Sequence, residues 1–315
     1  MISQKVAEMR KITILIPCYN EQGSLPSLYE SLTMMADSQD NYDWEFLFVN
    51  DGSNDYTLNI IKQYKERDIR ISYLDLSRNF GKENAMLAGF DYATGDCVVI
   101  IDADLQDPPS LIPDMIALWE QGVEDVYARR LDRGKESWLR RKLSLMFYSL
   151  LQKVSKLDIL ENVGDFRLLD RKCIDALKKM REHERYTKGM YCWIGFKKQE
   201  ITFERNNRMF GKSSMSFGAL LDLAIDGIVS FTTIPLRLAA IAGLIISVFA
   251  FIYMCYFLMK TFLFGDPVQG FPTLIIVILF LGGANLLFLG VIGEYISKIY
   301  SETRNRPIYI VREYR

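Results

Sequence analysis

Along the first hundred residues, short apolar runs alternate with stretches whose apolar positions recur at helical spacing. Ile12–Pro17, Glu45–Val49, Ile69–Leu76 and Val98–Ile101 read as strands, and the continuous apolar run Val98–Ile101 fits burial on both faces. Between them Ser24–Met35, the segment from Asp55 to Arg67 and the segment ending at Tyr92 read as helices. Asn50–Asp55 is a turn by composition, with Asp55 placed to cap the next helix. Glu124–Ala128 is a further strand, and the basic stretch 129–136 reads as a loop. Strands alternating with helices imply right-handed crossovers and a mostly parallel sheet. The loops after the first, second and fourth strands then meet at one edge, so Tyr19, Asn20, Glu21, Asp51, Asp102 and Asp104 line one crevice.

The pattern changes further along. The segment 137–156 sets Trp138, Leu143, Phe147 and Leu150 against Arg140, Arg141, Lys142 and Lys153. Such a basic amphipathic helix either lies on a membrane surface or packs on the sheet. Asp165 stands between Gly164 and an apolar strand, and either points into the crevice or makes a turn. A helix follows from Lys172 to Met180, and the charged run Arg181–Arg185 reads as a solvated helix end. Residues 211–233 read as a juxtamembrane helix. Ile234–Met259 carries one charge, Arg237, and Phe271–Ile296 is interrupted only by Asn285 and Glu294. Both exceed the about 20 residues that cross a bilayer, which gives spans at 234–260 and 271–297 joined as a hairpin. Arg237, Lys298, Arg304, Arg306, Arg312 and Arg315 all lie outside the connection, so both termini and a catalytic domain at 1–210 are expected in the cytosol, with 298–315 as a tail. The expected location is the cytoplasmic membrane, as a multi-pass protein. Gly282, Gly283 and Gly290 would permit close helix contact.

Composition narrows the chemistry. The net charge of −1 and the lack of an aromatic-studded basic stripe argue against nucleic acid as a partner. Five scattered cysteines form neither a zinc site nor a disulfide framework, and fit a reducing compartment. The single histidine, His183, makes histidine-based catalysis improbable. The first eleven residues contain no apolar signal region.

Candidate chemistry concentrates after the fourth strand. Asp102 and Asp104 project on one side of a strand end, and Pro108–Pro109 stops the strand. Their hard oxygens, with Gln106 as a neutral third, suit Mg²⁺ or Mn²⁺ carrying a diphosphate. A surface loop with three acids is the plainer alternative. Neither a Gly-x-Gly-x-x-Gly turn nor a Gly-x-x-x-x-Gly-Lys-Ser/Thr loop is present, so a metal has to hold the phosphates.

Pro17-Cys-Tyr-Asn-Glu21, Val49-Asn-Asp-Gly-Ser53 and Asp102-Ala-Asp-Leu-Gln-Asp-Pro-Pro109 together resemble family 2 of the inverting glycosyltransferases, with a GT-A-type α/β fold. The closer resemblance is to the polyprenyl-phosphate branch, extended by Gly164-Asp-Phe-Arg-Leu168, Arg185-Tyr186, Asp226-Gly-Ile228 and the paired C-terminal helices. It implies that Pro17, Tyr19, Asn20, Glu21, Asp51, Lys82 and Asp102 hold the nucleotide sugar. It implies that Asp102, Asp104 and Gln106 bind Mg²⁺ or Mn²⁺, and that Asp165 lies where the family's catalytic acid is proposed. Arg130 and Arg133 fall in the loop that closes over the donor, and Arg185, Arg205 and Arg208 are assigned to the acceptor phosphate. The implied partners are a nucleoside diphosphate sugar, UDP ahead of GDP, a polyprenyl phosphate lipid and further copies of the chain, up to a tetramer. Ser213-Ser214-Met215 departs from the branch's Ser-Lys-aromatic pattern. No Gln-x-x-Arg-Trp signature is present, which points to a single transfer rather than processive synthesis. Two other readings are a transferase with a different lipid or glycan acceptor and a non-catalytic nucleotide-binding membrane scaffold.

Overall fold

The computed structural model describes residues 9–131, 163–183, 185–203, 234–264 and 270–315. These fall into two compact units: the described residues up to 203 together with 306–315, and those of 234–305. The amphipathic segment expected at 137–156, the juxtamembrane segment 211–233, and Arg133, Arg205 and Arg208 lie outside the described residues.

In the first unit β1 (Arg10–Cys18), β2 (Tyr42–Asn50), β3 (Ile71–Leu76) and β4 (Cys97–Ile100) pair in parallel in the order β3-β2-β1-β4. The last seven residues of β1 and of β2 are all buried, which is why these strands read as continuous rather than alternating apolar runs. α1 (Leu25–Asp37), α2 (Thr57–Arg67) and α4 (Ile112–Glu120) cover one face, where Leu28, Leu32, Ile61 and Met115 pack with Ile14, Ile16, Phe46 and Phe48. α3 (Lys82–Tyr92), α5 (Arg171–Lys179) and α6 (Thr187–Trp193) cover the other, where Met86, Phe90, Ile174 and Leu177 pack with Leu15, Leu47, Val49 and Val98. Successive residues of β1 thus enter opposite cores, as the two-residue period of a strand requires. Asp55 accepts the N–H of Thr57, the first residue of α2, as the turn composition predicts.

Four more strands complete the sheet: β5 (Asp125–Arg130), β6 (Val163–Asp170), β7 (Lys198–Phe203) and β8 (Val311–Tyr314). The order is β7-β5-β6-β4-β1-β2-β3-β8. β6 runs antiparallel to β4 and β5, β7 parallel to β5, and β8 antiparallel to β3. The expected mostly parallel sheet flanked by helices is therefore present, with antiparallel additions on both sides.

Three local expectations are corrected. Arg129 and Arg130 belong to β5 and not to a loop, because the strand continues past Ala128 alongside β7. The run after Met180 is a solvated helix end only in part: Arg181 and Glu182 are exposed, Arg181 making two hydrogen bonds of 2.7 Å to Asp91, whereas Arg185 is buried. The C-terminal segment is not a free tail, since β8 closes the sheet edge at β3 and Lys62 pairs with Glu313 at 2.7 Å.

The second unit contains α7 (Ile234–Phe264) and α8 (Phe271–Thr303), of 31 and 33 residues. Both cover the expected spans 234–260 and 271–297, and α8 runs six residues further. Phe280–Thr303 is long and apolar enough to cross a bilayer, and Leu238–Tyr253 is a shorter apolar stretch. A Cβ added at Gly282, Gly283 or Gly290 meets no atom within 4 Å.

Candidate active site

The cleft at the C-terminal edge of the parallel strands has a volume of about 370 Å³. Its lining comprises Pro17 at the end of β1 with Tyr19 and Glu21 after it, Asp51 after β2, Gly81 and Lys82 after β3, and Asp102 and Asp104 after β4. The chain crosses to this edge from each of four neighbouring strands, so residues up to 87 positions apart meet there. Asp165 arrives from the opposite direction. β6 pairs antiparallel with β4 through Ile100↔Arg167, and continuing that register by two residues sets Asp165 opposite Asp102. The start of an antiparallel strand thereby reaches the end of its parallel neighbour.

Lys82 joins the carboxylates. Its Nζ lies 2.6 Å from Asp102 Oδ1 and 2.7 Å from Asp165 Oδ2. Burial pushes the Lys82 ammonium toward losing its proton, but Asp102 and Asp165 outweigh this and hold it well above the usual lysine range. Burial also pushes the Asp165 carboxyl up, yet Lys82, with Lys188 and Arg167, holds it below the usual carboxylate range. Asp165 is thus an ionised group and a weak base. Its Oδ1 is buried without a hydrogen-bond partner.

Glu83, the next residue, shows the opposite response. Burial and the nearby charge of Asp165 push its carboxyl up to about 7, and it accepts a hydrogen bond from the Thr187 hydroxyl. An acid in the first turn of a helix reads from sequence as dipole compensation, so nothing in the pattern marked Glu83. Asp107, equally unmarked by its sequence pattern, is buried and faces Arg130 Nη2 at 3.5 Å. Burial, then the charge of Asp102, raises its carboxyl to about 6.

The loops are braced by the motif residues themselves. Asp51 accepts the N–H groups of Phe80 at 2.7 Å and Gly81 at 2.9 Å, tying the loop before Lys82 to the end of β2. Gly52 has φ +63°, and a Cβ there would lie 2.4 Å from the Arg78 carbonyl carbon, so the turn requires glycine. Asn50 donates to Asp75 at 2.7 Å, both being buried, and Arg312 of the C-terminal segment reaches Asp75 at 3.4 Å.

Not every expected residue enters the cleft. Asn20 sits at φ 57°, donates its N–H to Ser53 and accepts from Asn54, so it joins the first two loops. Gln106 has a buried side chain outside the lining, and its main-chain N–H donates to Asp104 Oδ1 at 3.1 Å. Arg130 is held at Asp107 and is also outside the lining. Arg185 donates through Nη1 to the Met180 carbonyl, while its Nε and Nη2 are buried without partners.

The residues present fit a divalent cation brought in by a diphosphate. Asp102 and Asp104 face one cleft, and Asp102 already carries a cationic group in Lys82. Among the described residues no three His, Cys, Asp or Glu side chains converge as an all-protein cage would need. One or two carboxylates completed by phosphate oxygens is the usual arrangement for Mg²⁺.

Residues 13–178 match the family model described as glycosyl transferase family 2. The prophage bactoprenol glucosyl transferase homolog of Escherichia coli (strain K12) is 41% identical over 96% of this chain and 98% of its own length. The chain belongs to glycosyl transferase family 2. Among other family members, the bactoprenol glucosyl transferase of Shigella phage SfX is 40% identical over 96% of this chain and 99% of its own. The putative glycosyltransferase CsbB of Bacillus subtilis (strain 168) is 43% identical over 96% and 91%. A solved structure, glucosyl-3-phosphoglycerate synthase from Mycobacterium tuberculosis in complex with Mn²⁺, UDP-glucose and phosphoglyceric acid, has a TM-score of 0.49. It is 16% identical and covers 70% of this chain and 78% of that one, too distant to bear on the chemistry here. This family 2 glycosyl transferase therefore brings its first motif and its acidic motif to one cleft at the C-terminal edge of the parallel strands.

Proposed function

We propose that this glycosyltransferase moves one hexose, with inversion, from a nucleoside diphosphate sugar to a polyprenyl monophosphate at the cytosolic face of the cytoplasmic membrane. UDP-glucose or a UDP-N-acetylhexosamine is the favoured donor, ahead of a GDP-sugar. The observation that carries the reading is the pair Asp102 and Asp104 in one cleft at the sheet edge, with Lys82 bridging Asp102 to Asp165. The acceptor comes from the relatives named bactoprenol glucosyl transferase, and the membrane from the apolar segments of α7 and α8. Both termini are taken as cytosolic, and the working form as a homo-oligomer.

Pro17, Tyr19, Glu21 and Asp51 would hold the nucleoside, directly or by ordering its loops. Asp102 and Asp104 would hold Mg²⁺ or Mn²⁺, which when bound stabilises the negative charge that develops on the departing diphosphate. The acceptor needs little activation. A phosphate monoester has a second pKa of about 6 and is largely ionised at neutral pH. A strong general base is unnecessary, and Asp165, ionised and paired with Lys82, is poorly suited to be one. Its role in this reading is to orient the acceptor and to stabilise positive charge on the sugar. Bringing two phosphate groups together demands cations, and in this reading Arg185, whose Nε and Nη2 are buried without partners, meets one of them.

The test is a donor screen. The full-length protein in detergent, with undecaprenyl phosphate and Mn²⁺, should convert one radiolabelled UDP-sugar into a lipid product labile to mild acid. Chelation should stop transfer and added Mn²⁺ should restore it. Product formation that is insensitive to chelation, or a product on another acceptor only, would refute the reading.

A further inference from the structure

Lys82 opens α3, at the helix end where the macrodipole disfavours a cation. Carboxylates hold it there. Nζ lies 2.6 Å from Asp102 Oδ1, 2.9 Å from Asp102 Oδ2 and 2.7 Å from Asp165 Oδ2. Both oxygens of Asp102 are thus taken by one ammonium. The loop that delivers it is fixed, because Asp51 accepts the N–H groups of Phe80 and Gly81 immediately before it.

A divalent cation on Asp102 and Asp104 cannot share Asp102 with that ammonium at these distances without close repulsion between two cations. Asp165 offers the ammonium a second seat that the metal does not need. We propose that Lys82 is a resident counter-ion that holds Asp102 closed to a free metal ion and yields it only when a nucleoside diphosphate arrives with the cation. The inference rests on the metal reading of Asp102 and Asp104 given above. The diphosphate supplies the negative charge that compensates both cations once they are side by side, while Lys82 remains on Asp165. Metal and nucleotide therefore enter together, and Asp102 and Asp165 are not left facing each other as bare anions when the cleft is empty. Binding of the two ligands is reciprocal: UDP tightens Mn²⁺ by the factor by which Mn²⁺ tightens UDP.

The experiment titrates Mn²⁺ into the full-length protein in detergent and reads free Mn²⁺ by electron paramagnetic resonance, alone, with UDP and with uridine. UDP should tighten Mn²⁺ within the range of about 5–150-fold typical of coupled sites, and uridine, which lacks the diphosphate, should not. Lys82→Met should bind Mn²⁺ alone roughly tenfold or more tighter than the wild type, a difference of about 1.4 kcal/mol, and its UDP coupling should fall toward one. Lys82→Arg keeps the charge and should retain the weak binding of Mn²⁺ alone. Equal Mn²⁺ affinity in the wild type and Lys82→Met, with coupling intact, would overturn the inference and leave the metal reading standing. Wild-type protein that takes up no Mn²⁺ even with UDP would overturn the metal reading itself. If Lys82→Met fails to fold, the wild-type titrations still decide, because tight Mn²⁺ binding without nucleotide contradicts a closed Asp102.

Discussion

Replacing Asp51 separates two ways in which an aspartate can serve a nucleotide. Both of its oxygens are engaged by main-chain donors, Phe80 N–H at 2.7 Å and Gly81 N–H at 2.9 Å, and the residue is 3% exposed. A hydrogen bond to a charged group contributes about 1.5–3 kcal/mol, so the pair sets an upper limit of about 3–6 kcal/mol. Water can satisfy part of what Asp51→Ala leaves unpaired, which brings the expected destabilisation to roughly 2–4 kcal/mol. Asp51→Asn keeps one acceptor oxygen and should lose about half as much. The freed loop carries Lys82 and lines the cleft, so UDP must then pay the cost of ordering it. A UDP affinity roughly 10–100-fold weaker follows, at 1.4 kcal/mol per tenfold. The assays are thermal unfolding and UDP calorimetry on the full-length protein in detergent. If Asp51→Ala unfolds at the wild-type temperature yet loses UDP affinity, the carboxylate touches the ligand directly and the loop-latch explanation is wrong.

Three further outcomes are expected. Arg167 and Asp125 are a buried pair at 3.1 Å, both at most 3% exposed in their side chains, so Arg167→Ala should cost about 3–5 kcal/mol in urea unfolding, whereas an Arg167→Met, Asp125→Leu double variant should recover most of it. Glu83 has its carboxyl raised to about 7 against 4.5 in the unfolded chain. The folded state therefore holds the proton more tightly, and this stability is complete below pH 4.5 and lost as pH rises through about 7. It amounts to at most about 3 kcal/mol at 1.36 kcal/mol per pKa unit, and Glu83→Gln should flatten unfolding temperature against pH between 5 and 8. Removing 306–315 should expose the β3 edge and lower both unfolding temperature and UDP affinity, because Asp75 under the Asn50 turn loses Arg312. Arg312→Ala alone should change stability by less than about 1 kcal/mol, since its side chain is 62% exposed.

The central architecture was legible because burial on both faces leaves an unambiguous mark. Strands such as Ile12–Pro17 and Val98–Ile101 are continuous apolar runs, and the crossover rule turns their order into a shared edge for Tyr19, Glu21, Asp51, Asp102 and Asp104. The half-exposed elements were not legible. β7 and β8 carry polar and charged residues at the sheet margins, where one face and one edge meet water, and so no hydrophobic pattern distinguished them from loop and tail. Long-range pairing was equally silent in the sequence. Only the antiparallel return of β6 decides that Asp165 faces Asp102, and only the tertiary fold decides that Lys82, at the start of α3, pairs with both and that Glu83 feels the charge of Asp165. Local pattern determined which residues form strands, because each residue's burial is written in its own side chain. Which charges neutralise one another was left to the tertiary structure, because that depends on partners up to 251 residues away in the chain.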